Sequence, residues 1–300
     1  MTGTTKSHGA DSKAWAIRLR VARAVIAALG CAVPFAGSAS AAELAPHRAV
    51  YDMTLERAST SSGIGELAGR MVYELTGSAC AGYSQNMRLV TRIIDREGSA
   101  QVNDLRTASF EAPAGGKLDF DIRQFRNKEL AEATEGEARR SKGGIDVRLA
   151  KPKTGALALQ GDVLFPMQHS MSMLDRARAG ERSFMAKLYD GSEQGARIYD
   201  TTAFIGARLS TDAVATNLPA SVKGRDALAA LPAWPVSMSY FDAQDGQQDA
   251  IPSYELSFRF HDNGVTSALV IDYGDFAIRG QIAELDMLPL TPCDTKTDKR

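Results

Sequence analysis

A two-residue alternation of apolar and polar side chains, interrupted at intervals by turn residues, runs through most of this sequence and limits what it can fold into. The clearest stretch is "YELSFRFHDNGVTSALVIDYGDFAIRG". There Tyr254, Leu256, Phe258 and Phe260 alternate with Glu255, Ser257, Arg259 and His261, the period of a strand with one buried face. Asn263-Gly264 follows and predicts a type I′ hairpin, because that turn needs positive φ at both central residues. The next run sets Val265, Leu269 and Ile271 on one face before "YGD" turns the chain into "FAIRGQIAEL".

Earlier segments read the same way. Ala49, Tyr51, Met53 and Leu55 alternate with Val50, Asp52, Thr54 and Glu56, while Leu67, Met71, Tyr73 and Leu75 share a face of the next run. "YSQNMRLVTRIID" is long enough for a full strand, and "KLDFDIRQF" sets Leu118, Phe120 and Ile122 against Asp119, Asp121 and Arg123. In "KLYDGSEQGARIY", Asp190-Gly191 separates two strand-like stretches. About a dozen strands joined by turns imply a mainly β fold, a large and mostly antiparallel sheet. One segment departs from the pattern. "FPMQHSMSMLDRARAG" has Pro166 where a helix can begin and Gly180 where it can end, which predicts a helix over 166–179 with Met167, Met171 and Leu174 on one face. "GEARRSKGG" reads as a loop between strands, and its basic cluster as a solvated turn.

The N-terminal segment sets the expected compartment. Lys13, Arg18, Arg20 and Arg23 precede the apolar run "AVIAALGCAVPFAG", and "SASAAE" follows. That is the layout of a cleaved secretory signal over residues 1–42, with the cut after Ala41 or Ala42. An uncleaved anchor would want about 20 strongly apolar residues, and this run is rich in Ala, Gly and Ser. Acylation of Cys31 in "ALGC" is a further alternative. Residues 43–300 then form one expected domain. Removing 1–42 takes five basic and one acidic residue from totals of 35 and 36, leaving a net charge of −5. A mildly acidic exported chain does not suit nucleic acid.

With Cys31 gone, two cysteines remain in an oxidising compartment, and Cys80 and Cys293 are expected to form a disulfide. Neither a C-x-x-C pair nor nearby histidines point to a thiolate catalyst or a zinc site. Met167, His169, Met171 and Met173 could ligate copper if they stood together on a strand. On a helix they scatter, and the methionines are then expected to fill core gaps. Asp119 and Asp121, flanked by Lys117 and Arg123, fit a charged strand face better than a glycosidase pair. No nucleophile elbow, metal motif or phosphate-cradling loop is present, so no catalytic residue, metal or cofactor is assigned and no enzyme is expected.

Six short motifs, "APHRAVYDMTL", "LFPMQHSMSML", "LYDGSEQGARIYD", "AWPVSMSYFD", "YELSFRFHDNGV" and "DYGDFAIRG", together resemble the envelope integrity protein B family of alphaproteobacteria, from about His47 to Cys293. The resemblance implies a periplasmic β-spiral, an open barrel-like sheet with one helix set against it. It also implies the Cys80–Cys293 bond, a role in envelope integrity under stress, a periplasmic tetratricopeptide-repeat partner and possible dimerisation. The expected function is a non-enzymatic interaction protein; the alternative is a carrier or sensor of a lipid or lipoprotein acyl chain, since a curved sheet can enclose an apolar cavity.

Overall fold

The computed structural model describes residues 43–242 and 251–293. The expected signal peptide over 1–42 lies outside them. Among the described residues fifteen strands form one sheet, from β1 (His47–Ala58) to β15 (Phe276–Met287). These two strands pair antiparallel, with Ala49 opposite Leu285 and Met53 opposite Gly280, so both ends of the strand sequence meet in mid-sheet. From that pair the strands spread in chain order to β8 (Gly155–Gln160) on one side and count down to β9 (Val163–Leu164) on the other. Only Gly161 and Asp162 separate β8 from β9 in sequence. A residue spans at most about 3.5 Å, so the strip must curl until its two edges nearly meet. The barrel-like form expected from the resemblance follows from this topology.

All neighbouring strands are antiparallel except β9 and β10 (Ser183–Leu188), which run parallel. Parallel neighbours need a crossover, and helix α1 (Pro166–Arg178) provides it. The helix matches the predicted 166–179 to within a residue, but its buried face differs. Met167, His169, Met173, Leu174 and Ala177 are buried, and Met171 is only partly so. α1 lies on the concave side of the sheet and is covered over more than one stripe, so His169 is buried as well as Met167.

Three other local readings are revised. The strands number fifteen, and several are long: β2 (Ile64–Ser78) has 15 residues and β3 (Gly82–Asp95) has 14. "GEARRSKGG" is not a loop, since residues 136–141 belong to β6 (Glu129–Ser141), Gly144 begins β7 (Gly144–Lys151), and only Lys142-Gly143 turns between them. The turn after β13 (Tyr254–His261) is not type I′. Only Gly264 takes positive φ, at 84°; its N–H donates to His261 O at 2.8 Å, and His261 N donates to Val265 O at 2.9 Å. That is a three-residue loop with glycine in the left-handed position. A two-residue turn with both central φ positive occurs instead at Asn127-Lys128, at 50° and 74°. In β14 (Thr266–Asp272), Ala268 has φ of 54° and the register shifts. The bulge breaks the strict alternation, so Thr266 joins Leu269 in facing the interior, while Val265 is fully buried in the same core cluster as Leu269.

Apolar side chains collect into two clusters. The larger joins β1, β2 and the strands from β10 to β15 with α1, through Tyr51, Met71, Leu174, Trp234 and Ile282 among others. The smaller lies near the seam, where Leu118, Phe120, Ile145 and Val147 pack on Val163, Phe165, Tyr189 and Ile198.

Candidate functional site

The inward face of the sheet changes character along its length. On β1, β2, β12 (Ala233–Asp242) and β13 it carries Tyr51, Met71, Met238 and Phe258. On β3, β4 (Ala100–Glu111), β5 (Lys117–Arg126) and β6 it is half polar. Gln85 stands opposite Ser109 and Ser109 opposite Phe120; Thr107 faces Ile122, Ile122 faces Thr134, and Gln124 faces Glu132. Hydroxyls and amides cannot fill a dry core without partners. The curl therefore encloses a cavity on this side.

Two chambers result. The smaller, about 230 Å³, lies between α1 and strands β1, β2 and β12–β14 and is lined mainly by Leu, Met and aromatic side chains. Tyr51 is buried in its wall, donates to Thr266 O at 2.8 Å and is pushed up to about 12 by that burial. The larger chamber, about 690 Å³, opens between the polar rows of β3–β6 and the segment after β10. Pro166, Leu188 and Tyr240 line both, so the chambers adjoin. Four tyrosines wall the larger one. Tyr240 and Tyr254 stack with centroids 4.3 Å apart, Tyr199 meets them edge-on at 5.8 and 6.1 Å, and Tyr273 lies 6.2 Å from Tyr254. Burial raises the phenols of Tyr240 and Tyr254, and the Asp190 carboxylate raises them further.

The entry of α1 is held from a distance. Phe165, which precedes the helix, offers no side-chain acceptor. Instead Glu111, at the end of β4, accepts the N–H groups of Met167 and Gln168 at 2.7 and 3.0 Å, capping donors that a helix start leaves unsatisfied. Burial pushes the Glu111 carboxyl up to about 7 against those bonds and the nearby Arg140. Arg140 of β6 donates to Gly115 O at 3.2 Å, to Gln168 Oε1 at 2.5 Å and to Val163 O, and its guanidinium lies 4.8 Å from the Phe165 ring centre. Arg140 is therefore no part of a solvated turn, as its neighbours in "ARRSKGG" suggested; it ties β6 across the seam to β9 and α1.

With this geometry in hand, comparison with known proteins is decisive. The EipB-like family signature matches residues 38–289. The chain belongs to the EipB-like family. A curated relative, cell envelope integrity protein EipB of Brucella abortus (strain 2308), is 40% identical over 276 residues, covering 90% of this chain and 96% of that one. A crystal structure of a beta-barrel-like protein of a domain of unknown function from Brucella abortus superposes with a TM-score of 0.75 at 38% identity, covering 82% of this chain and 99% of that one.

In this EipB-like chain the sequence candidates fall as follows. Cys80 and Cys293 are bonded, with Cα atoms 5.5 Å apart, joining the β2–β3 turn to the segment beyond β15. His169 Nε2 is 2.9 Å from Thr201 Oγ1, so that nitrogen is spent on a buried hydroxyl, and burial takes the ring down to about 4. Met167, His169 and Met173 are core residues. Asp119 pairs with Lys117 at 2.7 Å and Asp121 with Arg123 at 2.6 Å, away from both chambers. Among the described residues no three His, Cys, Asp or Glu side chains gather as a metal site. The tyrosine chamber itself was not assigned from the sequence. The signal was present in the polar residues on both faces of β3 and β4, a pattern that fits a strand wetted on each side.

Proposed function

We propose that this EipB-like protein is a non-enzymatic periplasmic protein, exported by a cleaved signal peptide, that supports cell-envelope integrity through a protein partner. The observation that carries the reading is the edge strand β8. Among the described residues it pairs with β7 on one side only, its six residues "GALALQ" bear no charge, and four of them are exposed. An uncharged free edge is what protein edges otherwise avoid, and a partner segment can extend it by strand addition. The partner class is the periplasmic tetratricopeptide-repeat protein implied by the family resemblance, and the name of the Brucella relative supports the envelope role. In the test, Ala156→Lys and Ala158→Lys are combined in the exported chain, and partners are pulled down from periplasm. Loss of the partner and of envelope function, with unchanged melting, is expected. Retention of the partner would refute the edge as its site.

A second reading, a carrier or sensor of a lipid or lipoprotein acyl chain, is favoured by one observation: the apolar chamber adjoins a larger polar one inside the sheet. Sites for small guests are concave and of about 300–1,000 Å³, a range that the larger chamber, at about 690 Å³, meets. Native mass spectrometry of the protein from its own periplasm tests it. A bound species of lipid mass supports the carrier, and clean apo-protein counts against it.

A further inference from the structure

The larger chamber selects for charge. Asp190, Glu193 and Glu132 bring three carboxylates to its wall, and Arg197 is its one basic residue among those described. Arg197 Nε is already 3.1 Å from Asp242 Oδ2, so its charge is matched from outside the chamber. Asp190 accepts the Ser192 backbone N–H at 2.9 Å, and no basic side chain pairs with it among the described residues. The aromatic wall described above stands beside these carboxylates. An anionic guest would meet these carboxylates, and a neutral one would leave the half-buried Asp190 further desolvated without a basic partner. An alkylammonium gains from both the carboxylates and the tyrosine faces, which attract cations within about 6 Å of the ring centre. Directly behind, past Pro166, Leu188 and Tyr240, lies the apolar chamber of about 230 Å³.

We propose that the interior binds an amphiphile with a cationic head, an alkyl-substituted ammonium, seating the head in the tyrosine chamber and the tail in the apolar one. The inference rests on the reading of the interior as a guest site. It adds the sign of the head group and the direction of insertion, head towards Asp190 and tail towards α1.

The test uses the mature chain with its disulfide intact and isothermal titration below micelle-forming concentrations. The probes are octyltrimethylammonium, octyl sulfate and octyl glucoside, which share a tail, and tetramethylammonium, which lacks one. Octyltrimethylammonium should bind about tenfold tighter than the sulfate or the glucoside, the scale of one desolvated cation–aromatic contact. Asp190→Asn should cut that preference severalfold, the tyrosine faces supplying what remains. Glu193→Gln, at an exposed position, serves as a second variant should Asp190→Asn fail to fold. Equal binding of all three octyl probes, or a preference undiminished in the folded variants, overturns the cationic head while the guest-site reading stands. Tetramethylammonium binding as tightly as its octyl counterpart overturns the placement of the tail. No binding by any probe ends both readings.

Discussion

Breaking the Cys80–Cys293 bond should lower stability without changing the fold, and the size of the effect can be worked from the topology. The bond spans 213 residues of sequence. In the native state it adds little that the sheet lacks, because β1 and β15 already hold the two ends of the strand sequence together. Thr291 N also donates to Gly77 O at 3.2 Å, beside the cross-link. Its effect must come through the unfolded chain, where closing so long a loop removes entropy worth about 5 kcal/mol at room temperature. Unfolding entropy of about 2 cal/mol/K per residue over roughly 250 residues is about 0.5 kcal/mol/K, so the melting temperature should fall by about 10 °C. Cys80→Ser, Cys293→Ser and the double variant should melt together at the lower temperature with unchanged far-UV circular dichroism, since each removes the same constraint. Scanning calorimetry on the three and the parent checks this. A drop of under about 2 °C, or a double variant well below the singles, would refute the reasoning.

Four further predictions concern α1 and the buried titrating groups. Glu111→Ala removes both acceptors at the helix start and should cost about 1–3 kcal/mol by denaturant titration, the range for leaving a buried donor unsatisfied; a cost within experimental error would contradict the capping role. Because burial holds the Glu111 carboxyl near 7 against an ordinary value of 4.5, its neutral form favours the folded state below about pH 4.5. That stability is lost as pH rises to about 7, so Glu111→Gln should flatten melting temperature across the window. His169 and His261 act in the opposite sense. Burial depresses each from 6.5 to about 4, so their stabilising effect is complete above pH 6.5 and is lost as pH falls towards 4. His261→Asn should reduce the acid sensitivity, and an unchanged slope would show that the ring is not held neutral. Gly115 has φ of 61°, and a Cβ there would sit 1.9 Å from Gln168 Cδ. Gly115→Ala should therefore destabilise the same helix entry by about 1–3 kcal/mol, and a neutral result would mean that Gln168 can move aside.

Where one face of a strand is buried and the other solvated, the alternation in the sequence reported the structure faithfully. Tyr254, Leu256, Phe258 and Phe260 do face inward, and Leu118 and Phe120 are buried while Asp119 and Asp121 pair with surface bases. The helix was legible because Pro166 marks its start. Its capping residue was not, since Glu111 lies 56 residues from Met167 and no local pattern connects them. Turn chemistry misled at Asn263-Gly264, where either hairpin places glycine at positive φ and the dipeptide cannot choose between them. Arg140 misled for a similar reason: a basic residue among others reads as solvated until the seam brings Val163 and Gln168 to it.

The chamber escaped the sequence because period-two reasoning sorts side chains into core and solvent, and a curled sheet has a third destination. Thr107, Ser109, Gln124 and Thr134 point inward by register yet look like outward residues by chemistry. Their polarity makes sense only once the strip is known to close on itself. What brings its edges together is also not a ladder. β8 and β9 are ends of the sheet, and the crossing is made by Arg140 on the β9 and α1 backbone and side chains, with Glu111 on the first turn of α1. These bonds, together with the apolar packing of Leu118, Phe120, Ile145 and Val147 on Val163, Phe165, Tyr189 and Ile198, take the place of a row of paired strands. Such a seam can hold the curl while leaving the β8 edge exposed, and it allows a concave, partly wet interior to persist beside an apolar one. The two features on which the functional readings depend, the free edge and the double chamber, thus have one origin in a meander that curls without closing.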